Sequence, residues 1–140
     1  MEIISKKIHF STKGHGDVIN VTEDVEKGLS ETELQRGVMT VFISGATGAI
    51  TTIEYEPGLV KDFQDLMEEL APGKGGYQHD RSHAIGNAHS HLRASLIGPS
   101  LSVPFENGKL KLGTWQQIVF IDFDTRQRKR EIIVQIIGEK

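Results

Sequence analysis

The sequence predicts an α+β fold, a mostly antiparallel β-sandwich with two main helices, in one domain over residues 1–140. Three observations carry this. Short apolar, β-branched runs recur along the chain and dominate its C-terminal third, as strands require. Apolar residues fall at helical spacing in two windows, after Thr22 and after Pro57. At 140 residues and 37% hydrophobic content, the chain is long enough for one core without disulfides or structural metal.

In chain order, alternation around Ile4, Ile8 and Phe10 predicts a strand ending near Ser11, and Gly14 and Gly16 break it. Val18–Val21 is a short apolar run before Thr22, an N-cap candidate with Glu23 and Asp24 in the first turn. Val25 and Leu29 give that helix its buried stripe, and Gly37 marks its end. Val38–Ser44 is a buried strand and Ala49–Tyr55 another, with Pro57-Gly58 turning into the second helix. That helix, Leu59–Leu70, places Leu59, Phe63, Leu66, Met67 and Leu70 on one face before Ala71-Pro72-Gly73 stops it.

Lys74 to Asn87 reads as a long polar loop, the kind that often carries function, followed by a short helix from His91 to Ile97. Short strands near Leu101–Val103 and Leu110–Leu112 flank the turn Glu106-Asn107-Gly108. Trp115–Phe123 and Glu131–Ile137 read as a long β-hairpin about Asp124–Arg128.

A net charge of −3 gives no pull toward nucleic acid or anionic lipid. The run Arg126, Arg128, Lys129, Arg130 reads as a solvated hairpin tip; without interleaved aromatics it does not mark a nucleic-acid surface. With no cysteine, no apolar leader and no run of about 20 apolar residues, a cytoplasmic protein without a membrane span is expected.

His79, His83, His89 and His91 fall within thirteen residues. Imidazole is the commonest metal ligand, and three histidines with an open fourth position make a catalytic zinc site. His89 and His91 share a face only in an extended segment, so this reading needs His89 to precede the helix. Otherwise these are solvated loop histidines; His9 and His15 are isolated and read as ordinary surface or strand residues. Arg93, Ser95 and Ser100 follow; they could hold a phosphate, or cap and turn the chain while Leu92 and Leu96 pack. Glu54 is a general base, an orienter of a histidine, or the solvent face of a strand, and the residues alone leave these open. Trp115 reads as packing at the start of a core strand, though its polar neighbours Gln116 and Gln117 also permit a pocket wall.

The stretch from His89 through Asp124, HSHLRASLIGPSLSVPFENGKLKLGTWQQIVFIDFD, resembles the YjbQ-like family, also called secondary thiamine-phosphate synthase-like. The carrying motifs are A-H-[IL]-x-A-S-L-x-G-x-S, the V-P-x-x-x-G-x-L strand pair and L-G-T-W-Q. Gly37–Glu54, Tyr77-Gln78-His79 and the final R-x-R segment fit as well. The resemblance implies an antiparallel sandwich, a homotrimer with sites near subunit boundaries, and coupling of a pyrimidine diphosphate to a thiazole phosphate with release of pyrophosphate. Its motifs match His79, His89, His91 and Glu54, and the site expected on that basis has His79, His89 and His91 holding a divalent metal (zinc, or magnesium for the diphosphate), Glu54 and His91 as catalytic groups, and Arg93, Ser95 and Ser100 steadying a phosphate. The alternative is a trimeric protein that binds a small phosphorylated metabolite without turnover. Where many bacterial members carry His-Thr-Ser, this chain reads Gly45-Ala46-Thr47, so that family histidine is absent.

Overall fold

The computed structural model describes residues 1–82 and 84–140. The chain begins with β1 (Glu2–Thr12), β2 (Asp17–Asn20), α1 (Thr22–Ser30) and β3 (Arg36–Ile43). Next come β4 (Gly48–Ile53), α2 (Pro57–Leu70), α3 (Gln78–Ser82) and α4 (Ala88–Ile97). β5 (Ser100–Glu106), β6 (Lys109–Leu110), β7 (Gln117–Asp122) and β8 (Arg128–Glu139) complete it. The strands make two antiparallel sheets, β1-β8-β3-β5-β6 and β2-β7-β4. The α+β sandwich predicted from sequence is thus the fold. No helix among the described residues is long and apolar enough to cross a membrane.

The layers follow from which side chains must leave water. Met39, Val41, Val103, Ile132, Val134 and Ile136 turn inward from the large sheet to meet Ile50, Ile118 and Phe120 of the small one. Val25 and Leu29 of α1 join the same core. On the small sheet's other face, Ala49, Val119 and Ile121 pack against Phe63 and Met67 of α2 and Ala94 and Ile97 of α4. β7 is therefore covered on both faces, which explains why Ile118-Val119-Phe120-Ile121 lacks alternation. The large sheet's outer face stays open. Ile3, Ile137, Val38 and Pro104 lie in register across four of its strands, and all are exposed.

The expected hairpin of the last two strands does not form. β7 belongs to the small sheet and β8 to the large one, so residues 123–127 cross between layers. Apolar content made both segments strands but did not choose their partners. Two boundaries also moved. α1 stops at Ser30, before Gly37, because the Thr32 hydroxyl donates to Leu29 O (2.7 Å) and accepts from Leu34 N–H (3.1 Å), turning Leu34 into the core. Gly37 instead serves close strand approach, since a Cβ there would lie 2.0 Å from Ile137 O. α2 starts at Pro57, its first turn capped by Glu56, whose carboxylate accepts Gly58 N–H (2.9 Å) and Leu59 N–H (2.7 Å).

Candidate functional site

α4 begins at Ala88, three residues earlier than the sequence suggests, and this decides the fate of the histidines. Successive helical residues turn by about 100°, so His89 and His91 point roughly 200° apart. His91 meets His79 of α3, their ring centroids 5.1 Å apart and tilted by 55°. Asp80 ties the two helices together. Its Oδ1 accepts Ala88 N–H at 3.0 Å and lies 3.5 Å from His79 Nδ1.

His89 faces the other way, its Nε2 3.9 Å from where a Cβ on Gly73 would lie. Burial, aided by the Arg93 charge, pushes its proton affinity below the ordinary histidine value. Its Nδ1 and the Ser90 hydroxyl are buried without a hydrogen-bond partner among the described residues. The condition for the zinc reading, His89 ahead of the helix, is thus not met. Among the described residues no group of three His, Asp or Glu side chains is arranged to hold a metal ion. His79, His89 and His91 do not fit a three-histidine centre, and His83 lies outside the described residues.

The remaining sequence-derived residues also disperse. Arg93 is buried and committed: Nε donates to Ala71 O (2.9 Å) and Nη2 to Glu68 Oε2 (2.6 Å), bracing the C-terminal end of α2. Glu68 also accepts Gly73 N–H; that bond, then Arg93, holds its carboxyl below the usual range. Ser95 is exposed on α4 and Ser100 on the outer start of β5, so the three do not form one phosphate cradle. Glu54 follows β4 and lines a separate cavity beside Trp115. His9 sits in the open, its Nε2 2.8 Å from Glu131 Oε2.

What His91 does share is a cavity of about 290 Å³ lined also by Asn87, the loop Ser44–Thr47, Asp124, and the three arginines Arg126, Arg128 and Arg130. Its size is at the small end of ligand sites, which run about 300–1,000 Å³. Arg130 is buried and doubly paired with Asp122, Nε to Oδ2 and Nη2 to Oδ1, each at 2.8 Å. Nη2 also donates to Thr47 Oγ1 (2.9 Å), and Nη1 points at Gly45, 3.5 Å from where a Cβ would stand. Arg128 pairs with Asp124. Arg126 is exposed and has no ion-pair partner among the described residues, so the cavity keeps a net positive wall.

Sequence reasoning placed these arginines on a solvated tip. The available signal was their spacing at 126, 128 and 130, which puts alternate side chains on one face of an extended segment. The small-residue loop at 44–47 lets backbone approach that face. The missing family histidine maps here too, because Gly45 lines this same cavity.

The protein-family model for UPF0047, YjbQ-like, matches residues 6–139. A UPF0047 protein of Archaeoglobus fulgidus is 41% identical over 84% of this chain and 89% of its own length. The UPF0047 protein YugU of Bacillus subtilis is 34% identical over 95% and 98%. Among solved structures, a YbjQ-like protein of Sulfolobus solfataricus superposes with a TM-score of 0.94 at 30% identity, covering 99% of each chain. A hypothetical protein of Aeropyrum pernix does so with a TM-score of 0.91 at 33% identity, covering 99% of this chain and 100% of its own.

Proposed function

We propose that this chain, which belongs to the UPF0047 YjbQ-like family, holds the phosphate end of a small phosphorylated metabolite in the cavity beneath His91. The reaction proposed there is of thiamine-phosphate synthase type, a pyrimidine diphosphate joined to a thiazole phosphate with release of pyrophosphate. The observation that carries the reading is the convergence of Arg126, Arg128, Arg130 and His91 on one small cavity. In such a coupling the carbon–oxygen bond to the diphosphate breaks and its electron pair leaves on pyrophosphate. Fixed cations aimed at the departing oxygens stabilise that charge as it develops, with little reorganisation. Arg126 supplies the unpaired charge, Arg128 and Arg130 are prepositioned by their carboxylates, and His91 donates a hydrogen bond or a proton. Glu54 lies outside this cavity and is given no role in it.

Titration calorimetry with inorganic pyrophosphate tests this. Saturable binding should weaken at least about tenfold, near 1.4 kcal/mol, in His91→Ala and again in Arg126→Ala. Absence of binding to the wild type, or wild-type affinity in both variants, would sink the proposal. A second reading, binding without turnover, is favoured because the carboxylate lining this cavity, Asp124, is committed to Arg128 and so is not free to act as a base. It is distinguished by whether the two phosphorylated precursors yield pyrophosphate or are merely retained.

The proposed partner is a second and third copy of this chain. The exposed apolar row Ile3–Ile137–Val38–Pro104 supports self-association, because contiguous apolar surface is a liability unless covered. Light scattering should give a trimer in the wild type and a smaller species in Val38→Lys. A monomeric wild type at micromolar concentration would remove the trimer from the account.

A further inference from the structure

β4 runs from the His91 cavity at Thr47 to a second cavity at Glu54, so about 20 Å of strand separates the two. This second cavity, about 440 Å³, has no Lys, Arg or His in its lining. Trp115 and Tyr55 line it and are 71% and 46% exposed as residues, contrary to the packing role expected for Trp115. The loop carrying Trp115 and the ring of Tyr55 are both anchored. Gln116 Oε1 accepts Gly113 N–H (2.8 Å) and its Nε2 reaches Thr52 Oγ1 (3.4 Å), while Tyr55 Oη donates to Val18 O (3.0 Å). Of the two carboxylates present, Glu56 is committed to capping α2. The Glu54 carboxylate has no hydrogen-bond or ion-pair partner among the described residues. Gln117 takes one bond, from Asn20 Nδ2 to its Oε1 (3.3 Å), leaving its own amide N–H groups to donate.

An exposed indole held beside an unpaired carboxylate, with no protein cation to satisfy either, matches a specific ligand chemistry. We propose that this cavity binds a planar, cationic nitrogen compound, its ring stacked on Trp115 and its positive charge against Glu54. A cation over an indole face is drawn to the ring's negative π-cloud, and the carboxylate adds a charge-assisted hydrogen bond. A neutral ring of the same shape keeps only the stacking. An anion is repelled by both groups. The site is independent of the His91 cavity.

Trp115 is the only tryptophan, so its fluorescence reports this cavity alone. Benzamidinium is the probe and neutral benzamide its near-isostere. Benzamidinium should change the emission saturably and bind at least about fivefold more tightly than benzamide. Glu54→Gln should shrink that difference to what the Trp115 ring alone supplies, while leaving the melting midpoint and pyrophosphate affinity unchanged. A linear, unsaturable response, or equal affinities for the two probes, would overturn the proposal. So would a blue-shifted emission in the free protein that neither probe alters, which would mean that another copy of the chain covers the indole.

Discussion

Asp122→Ala is expected to remove about 3–5 kcal/mol of stability, because it strands a buried guanidinium. Asp122 is fully buried and accepts four bonds: Arg130 Nε and Nη2 at 2.8 Å each, Thr12 Oγ1 at 2.5 Å and Asp124 N–H at 3.0 Å. Arg130 is 5% exposed and packs over the Phe120 ring, 5.6 Å from its centroid, so it cannot swing into water. With a urea slope of about 2 kcal/mol per molar, the midpoint should fall by at least roughly 1.5 M. Adding Arg130→Met should recover part of the loss, since the stranded charge goes with it. A strictly additive double variant would show that pairing is not the cause.

The same carboxylate sets an acid limit. Burial would raise its proton affinity, but the Arg130 bonds, the Thr12 hydroxyl and Asp124 N–H outweigh burial and hold it below the ordinary 3.8. A carboxyl depressed in the folded state stabilises the protein above its unfolded value. That contribution is lost as pH falls through the folded one. The wild type should therefore lose stability steeply below about pH 3.8, and Asp122→Ala should show a shallower slope there.

Strands and helices were legible where one face is wet and the other dry. Ile4, Ile8 and Phe10 announce β1, and Phe63 and Met67 announce the inner face of α2. β7 was legible as a strand but not as a neighbour of β2 and β4, because a run covered on both faces carries no directional pattern. The short connection 123–127 then favoured a hairpin that the sandwich does not use. The start of α4 was missed because Ala88-His89-Ser90 has no apolar stripe, and that error alone kept His89 and His91 on one face. His91 was legible as a site residue. Its cavity partners were not, since Gly45 and Arg126–Arg130 reach it only through tertiary folding. The family, by contrast, was legible from ordered motifs along nearly the whole chain.

Gly14→Ala is expected to cost about 2–4 kcal/mol, more than one methyl group normally does, and to weaken the anion cavity with it. Gly14 has φ +76°, and a Cβ there would stand 2.4 Å from Arg126 O and 2.8 Å from Asp124 O. Both are backbone atoms, so no rotamer change relieves the overlap. Gly16, two residues on, separates the causes. Its φ is +86°, yet its nearest neighbour would be the flexible Gln64 side chain at 3.7 Å, so Gly16→Ala carries only the left-handed backbone cost of about 1–2 kcal/mol. The clash at Gly14 must be relieved by moving residues 124–126, which His15 N–H also grips through Asp124 O at 2.7 Å. Those residues present Arg126 to the cavity under His91. Urea midpoints and pyrophosphate affinities of the two variants, measured where both are folded, should therefore diverge together: Gly14→Ala lower in both, Gly16→Ala lower in stability alone. Equal losses in the two variants would mean that the loop relaxes freely and does not position Arg126.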